Sequence, residues 1–412
     1  MSAQAHQSTE PRRRKLRHRL RNLMGRMGVR AKRLEERIDA ALEVLSRYGI
    51  VPTIAVAVPP FADQKHLLRF LQGRGAEIAL LTTGPEQLQS AAALEALKER
   101  GVTCRGLRAR ELRPDQEAAA LATEHHLDYA STSAYVWPVM EDGMLSTIGP
   151  MQHSSPFTSP VLPRLRGDLV EVPVSLPDDG LSETQLASGS EILERRFASI
   201  LERVRDRGEL FVVRLTQRNL QHSVPALERL LAMARHGTPP VWIAPLGEVA
   251  RWWQRKAHAR ARLEKTEHGY QVRLESPPEA RLLGNRQAMT GRATGAIYPD
   301  DWIEVDGGMI EIACQKVPII ALGARTGSQF RAFLEGEGFL FEDETAPGTH
   351  AIHFNDPDPF GAALEFKALA HIQCIAAPLV RLARWPHGFG AALSVTIELD
   401  SVHIADFFRG LA

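Results

Sequence analysis

The stretch APLVRLARWPHGFGAALSVTIELDSVHIADFFRGLA, residues 377–412, decides how the rest of the chain is read. Within it Ala391–Ile397 is an almost wholly apolar run, the pattern of a strand buried on both faces. It delivers Glu398 and Asp400 to its C-terminal edge, and acids at i and i+2 of a strand project to the same side. In alternating α/β proteins that edge is where chemistry is normally placed. One carboxylate of such a pair suits taking a proton while the other suits holding a metal ion.

Upstream the chain alternates regularly. A helix over Ala31–Tyr48 carries Leu34, Ile38, Leu42 and Leu45 on one face, and Gly49 ends it before a first strand, Ile50–Val58. Strands are predicted at Glu77–Leu81, Val102–Leu107, Leu127–Ser131, Leu169–Ser175, Glu209–Leu215 and Val241–Ala244. Helices are predicted between them at Gln64–Gly73, Glu86–Arg100, Pro114–His126, Ser190–Arg207, Val224–His236 and Leu246–Ala259. An irregular loop rich in Pro, Ser and Met runs from Ser131 to about Arg166. With Ala391–Ile397 the strands number eight, and the alternation predicts an α/β fold whose parallel sheet closes as a (β/α) barrel.

Between 260 and 376 the texture changes to short strands (Tyr270–Glu275, Trp302–Val305, Met309–Ala313, Val317–Leu322) and helical runs at Ser328–Glu337 and Phe360–Ala376. His353–Pro359 reads as a turn. The organisation expected is a basic N-terminal segment, 1–30, and the main part of the barrel, 31–259. A small inserted α+β domain follows at 260–376, and a segment at 377–412 returns to the barrel as its first strand.

Composition narrows the class without naming a partner. The 412 residues are 44% hydrophobic and 24% charged, with 50 basic against 49 acidic side chains, which is ordinary globular material. Cys104, Cys314 and Cys374 are too few and too scattered for a disulfide framework or a thiolate zinc site, and they suit a reducing compartment. No apolar run has the length of a membrane span and the N-terminus lacks the apolar core of a secretion signal, so a cytoplasmic location is expected. Between Arg12 and Arg37 twelve Lys/Arg face only Glu35 and Glu36, with Leu16, Leu20, Leu23 and Met27 as an apolar stripe. That pattern fits either a solvated basic helix or peripheral contact with a membrane surface through 12–37; no aromatics interleave it, so no nucleic acid is expected.

Several stretches together resemble the polysaccharide deacetylase family (carbohydrate esterase family 4). RLEERIDAALEVLSRYGIVPTIAV is similar to an early helix and strand of that family, and LLRFLQGRGAEIALL to the Gly-His-Glu-Ile-Ala segment that opens its metal motif. RGLRAR resembles its Gly-Phe-Arg-Ala-Pro motif and LDYASTSAYVWP the segment after it. LVEVPVSLPDD, GELFVVRL and VWIAPLGEVARWW resemble its later strands and final helix. The likeness covers about 30–255 and 378–409. In most members the acidic motif comes first; here TIELD comes last, as in a circular permutation, which the closeness of barrel termini permits.

The resemblance implies a hydrolase that holds zinc or another divalent ion between one Asp and two His, with a neighbouring acid as base on the attacking water. Carried over, Asp400 is the metal Asp and Glu398 the base, while the two His positions fall on Leu81 and Pro85, which cannot coordinate. Arg108 of the Arg motif is kept, but Arg110 and Glu111 replace its Pro and aromatic. The Leu-His-Pro motif reads Leu215-Thr216-Gln217, without its histidine. The resemblance sets Arg108, Trp137 and Thr216 along the substrate and leaves Asp400 as a vestigial ligand. Substitute imidazoles are scarce: His125 and His126 diverge on a helix, and His222 and His403 read best as ordinary histidines.

Three functions are open at this point. The chain is a catalytically impaired deacetylase-like protein that binds a glycan or glycoconjugate and needs no cofactor; or an active N-deacetylase of N-acetyl sugars using a divalent metal such as zinc through rearranged ligands; or a regulatory or structural partner of an intact paralogue. Gly323–Gly327 resembles an anion loop at a helix start but lacks a phosphate-loop Lys and reads as a turn, and Trp252-Trp253 read as core.

Overall fold

Ten strands join in one curled sheet, with Ala391–Leu399 at its centre. The computed structural model describes residues 35–57, 65–82, 87–110, 116–133, 137–141, 144–148, 161–177, 191–217, 219–290, 296–344, 346 and 348–399. In chain order the strands of the large sheet are β1 (Thr53–Ala57), β2 (Glu77–Thr82), β3 (Cys104–Ala109), β4 (Tyr129–Ser131), β5 (Arg164–Arg166), β6 (Leu169–Glu171), β7 (Leu176–Pro177), β8 (Leu210–Thr216), β9 (Val241–Ile243) and β10 (Ala391–Leu399). They lie in the order β5-β6-β4-β3-β2-β1-β10-β8-β7, with β9 also on β10; all pairs are parallel except β5 with β6. β10 pairs with β8 along one edge from Ala392 to Glu398. Its other edge is shared between β9 at Ala391–Leu393 and β1 at Thr396–Leu399.

Helices cover the outer face because the residues there are aliphatic. Ile54, Val56, Ile78, Leu80, Leu107, Val213, Leu215, Val395 and Ile397 belong to one core with the helix over 35–47 (through Ile38, Leu42 and Leu45) and with α1 (Glu191–Arg207), α2 (Leu220–His236) and α3 (Leu246–Ala257). Phe197 of α1 meets Phe211 of β8 edge to face at 6.0 Å. α2 begins four residues before the predicted Val224, since Pro225 looks like a first-turn residue yet sits inside the helix.

The sheet does not close. The predicted strand Leu169–Ser175 keeps its ladder only over β6, which pairs with β4, and β7, just beyond its predicted end, pairs with β8. Pro173 lies between them and has no N–H for a ladder. Val174 N donates to Ser133 O and Ser175 N to Val212 O, so one short segment spans the two flanks where a barrel would have a continuous strand. The architecture is therefore a curled, mostly parallel α/β sheet, not the closed barrel expected.

Other differences have local causes. Trp137–Glu141 and Met144–Ile148 form an antiparallel hairpin where a loop was expected, and β5 follows it. Arg260–Lys265 is a strand that a largely exposed side-chain pattern conceals. His350–Phe354 is a strand with alternating burial, so His353 and Phe354 end a strand instead of opening a turn.

After α3 the chain builds three small sheets: Arg260–Lys265 with Tyr270–Ser276 and Met309–Ile312; Leu282–Gly284 between Ile303–Glu304 and Val380–Leu382; and Val317–Leu322 between Phe341–Asp343 and His350–Phe354. α4 (Ser328–Glu337) and α5 (Ala362–Cys374) accompany them. The seam with the large sheet is aromatic and charged. Trp252 Nε1 donates to Arg384 O at 2.8 Å and Trp385 Nε1 to Gly208 O at 2.9 Å, and the Trp253 and Trp385 rings lie 5.2 Å apart. Lys256 Nζ donates to Gly336 O at 2.6 Å and sits 3.3 Å above the Trp253 ring, while Arg384 Nε donates to Glu337 at 3.0 Å. Trp252 and Trp253 are core residues, as their sequence context suggested.

Candidate functional site

Strand register separates the two faces of the large sheet. Residues paired across neighbouring strands share a face, so the rows Thr216–Glu398–Ala55–Ala79–Gly106–Tyr129 and Ala57–Leu81–Arg108–Ser131 lie together on the concave side. Arg214, Thr396, Thr53 and Glu77 form the row below. The outer face is aliphatic, whereas the concave face mixes charged and hydroxyl side chains with Ala and Gly. Polar groups withdrawn from water on that scale need partners, and most have them.

At the N-terminal ends of the strands the partner is a helix start. Glu77 accepts from Gly247 N at 3.0 and 3.1 Å, from Thr53 Oγ1 at 2.9 Å and from Tyr129 Oη at 3.1 Å, and Leu246 N donates to Thr53 Oγ1. The carboxylate so caps the first turn of α3, where the helix dipole favours negative charge. Burial raises its pKa, and these donors together with Arg251 oppose the rise. A cleft of about 400 Å³ opens at this end, beside Val51, Glu77, Arg105 and Arg251.

At the C-terminal ends three charged side chains gather. Arg214 and Glu398 form an ion pair at 2.7 Å, both almost wholly buried. Arg108, 1% exposed, sits on the neighbouring row, and its guanidinium nitrogens have no hydrogen-bond partner among the described residues. Burial lowers its pKa to about 10, with Glu398 opposing that fall and Arg214 adding to it. Burial also pushes the Tyr129 phenol well up. The nearby hydroxyls are committed to backbone: Ser131 Oγ donates to Val172 O at 2.6 Å, Thr396 Oγ1 to Val213 O at 2.9 Å and Ser394 Oγ to Ala244 O at 2.7 Å.

Of the residues marked in the sequence, Glu398, Arg108, Leu81 and Thr216 meet at this end of the sheet. Leu81 pairs in register with Arg108 and Ala57, and Thr216 with Glu398. Trp137 lies in the hairpin strand Trp137–Glu141. Asp400, Pro85, Glu111 and His403 lie outside the described residues, as do 12–34 of the basic segment. His222 ring nitrogen contacts Gln221 Nε2 at 2.7 Å. Gly323–Gly327 leads into α4, but the Asp358 carboxylate already accepts from Ser328 N at 3.0 Å and Gln329 N at 3.1 Å, filling the place an anion would take.

Among the described residues no group of three His, Cys, Asp or Glu is placed to hold a metal ion. The charged groups described here, two guanidiniums and one carboxylate, are mostly hydrogen-bond donors, a set that does not ligate a divalent cation. The described residues at this end do not fit a catalytic metal. Arg214, Tyr129 and Glu77 went unmarked in the sequence. Arg214 had a signal, being the only charge in the strand LFVVRLT, where a buried cation calls for a counter-ion.

No helix of the described residues is long and apolar enough to cross a membrane. No protein-family model matches the chain, and no curated protein matches it. Among solved structures, a chain from Mycobacterium smegmatis described as a polysaccharide deacetylase is similar at 21% identity and a TM-score of 0.41, over 57% of this chain and 82% of that one.

Proposed function

We propose that this chain is a circularly permuted, polysaccharide-deacetylase-like protein that binds a glycan or glycoconjugate in its sheet interior and does not hydrolyse it. The observation that carries this reading is the ion pair between Glu398 and Arg214. The acid in the position of a water-activating base gives Oε2 to a guanidinium at 2.7 Å, which engages the oxygen that an attacking water would need. Leu81, buried and aliphatic, stands at a position where the resemblance calls for a metal-binding imidazole. The permutation reading draws support from β10, which is last in sequence and central in the sheet.

The test is purified protein incubated with zinc, cobalt or nickel, followed by metal analysis, deacetylation of N-acetyl-chitooligosaccharides and glycan binding. Glycan binding without tight metal binding or acetate release supports the proposal. Stoichiometric metal, lost in Asp400→Ala, together with acetate release, rejects it in favour of an active deacetylase with rearranged ligands. Installing Leu81→His and Pro85→His together should create metal affinity if the motif alignment is correct.

A further inference from the structure

The cleft at the N-terminal ends of the strands is walled by two arginines from different elements, Arg105 of β3 and Arg251 of α3. Arg105 reaches it through an irregularity in the ladder. Ile78 pairs with Cys104 and Ala79 with Gly106, so Arg105 is an extra residue in β3. Among the described residues the large sheet has no other such shift. Bulges are rare in parallel ladders, and they re-aim a side chain beside functional sites. Both guanidiniums meet one oxygen, Asp128 Oδ2, with Arg251 Nη1 at 3.0 Å and Arg105 Nη1 at 3.5 Å. Asp128 itself does not line the cleft. Nε and Nη2 of both arginines have no protein acceptor among the described residues.

Two guanidiniums gathered on a single carboxylate oxygen keep most of both donor forks open. A planar carboxylate matches one fork, whereas the oxygens of a tetrahedral phosphate spread to serve two. Glu77 is the one acid of the lining, and its charge is held mainly by Gly247 N, Thr53 and Tyr129, with Arg251 acting on it least. Its Oε1 accepts from all three, but Oε2 takes only the shared Gly247 N–H at 3.1 Å and can accept a ligand hydroxyl. Thr103 adds a second hydroxyl-binding group, and Val51 with Ile78 gives a carbon skeleton an apolar surface. At about 400 Å³ the cleft has room for more than a phosphate. We infer that it binds a phosphorylated sugar or polyol, with the phosphate between Arg105 and Arg251 and hydroxyls on Glu77 and Thr103. This site is separate from the glycan reading above, since it lies at the opposite end of the strands from Glu398.

The experiment uses the full chain at constant ionic strength and neutral pH, titrated by calorimetry and followed by thermal melting. The probes are glucose 6-phosphate, inorganic phosphate, glucose and glucuronate. Glucose 6-phosphate is expected to bind and to raise the melting temperature, inorganic phosphate to bind more weakly, and glucose and glucuronate not to bind. Arg105→Met and Arg251→Met should each weaken glucose 6-phosphate binding roughly tenfold, the loss of a charge-assisted hydrogen bond. Both side chains are about half exposed, so the unliganded variants should melt close to the parent. Arg262→Met removes a paired surface arginine of a different sheet and should bind like the parent. An Arg105→Met or Arg251→Met protein that binds like the parent overturns the inference. An equal loss in Arg262→Met overturns it as well, by reducing the binding to non-specific attraction. So does binding of glucuronate or bare phosphate as tight as that of glucose 6-phosphate.

Discussion

Gly106 of β3 faces the ring of Tyr129 so closely that a Cβ added there would lie 2.2 Å from the ring carbon Cζ. The pair fills the middle of the concave face, where Tyr129 reaches past β3 to donate to Glu77. Gly106→Ala should therefore destabilise the protein by about 1–3 kcal/mol through overpacking. Urea unfolding of Gly106→Ala, Tyr129→Leu and the double variant checks this. The double variant should cost less than the sum of the singles, and strict additivity would mean that the two residues do not compete for space.

Removing one partner of the buried ion pair should be expensive. Glu398→Ala removes the carboxylate that pairs with Arg214 and acts on Arg108, a loss of about 3–5 kcal/mol. Replacing both partners, Arg214→Met with Glu398→Met, should recover most of it. Denaturant midpoints of the three proteins decide the matter; a double variant as unstable as Glu398→Ala would argue that packing, not charge, sets the cost.

Lys256 makes stability depend on pH. Its ammonium is buried at the seam, and desolvation holds its pKa well below the ordinary 10.5 although Glu337 opposes the shift. Protons therefore favour the unfolded chain between the folded and unfolded values, so stability rises with pH across that window and is lost as pH falls through it. Arg381, lowered to about 9 by the same cause, adds a similar slope only above that pH. Unfolding curves at pH values below about 9, where Arg381 does not contribute, should show the slope flattened in Lys256→Met. An unchanged slope would place its origin elsewhere.

Trp385 joins the two regions of the chain. Fully buried, it packs on Trp253 and Trp242 and donates to Gly208 O. Trp385→Ala should cost about 3–5 kcal/mol, and Trp385→Phe should cost less because only the indole N–H and part of the ring are lost. Calorimetric melting of both variants tests this ordering.

What could be read in the sequence followed apolar continuity. Ala391–Ile397 is found as the core of β10, because a strand buried on both faces needs no alternation to be recognised. Short or exposed strands were missed for the opposite reason: Arg260–Lys265 buries little, and Leu282–Gly284 is only three residues long. Glu398, Arg108, Leu81 and Thr216 were marked by their likeness to motifs, and the structure brings them to one end of the sheet. Arg214 was not, because its importance lies in pairing across strands 182 positions apart in the chain, from Thr216 to Glu398, a register that no local pattern encodes.

The late position of β10 bears on synthesis. β1 and β8 are translated long before Ala391, the latter by about 175 residues, or roughly ten to thirty-five seconds at about 5–20 residues per second. Until then the edges that β1, β8 and β9 will share with β10 stay bare, the kind of surface on which polypeptides pair wrongly with each other. Ribosome stalling or premature termination before residue 391 should therefore yield a chaperone-bound or aggregated product, however complete the preceding helices are.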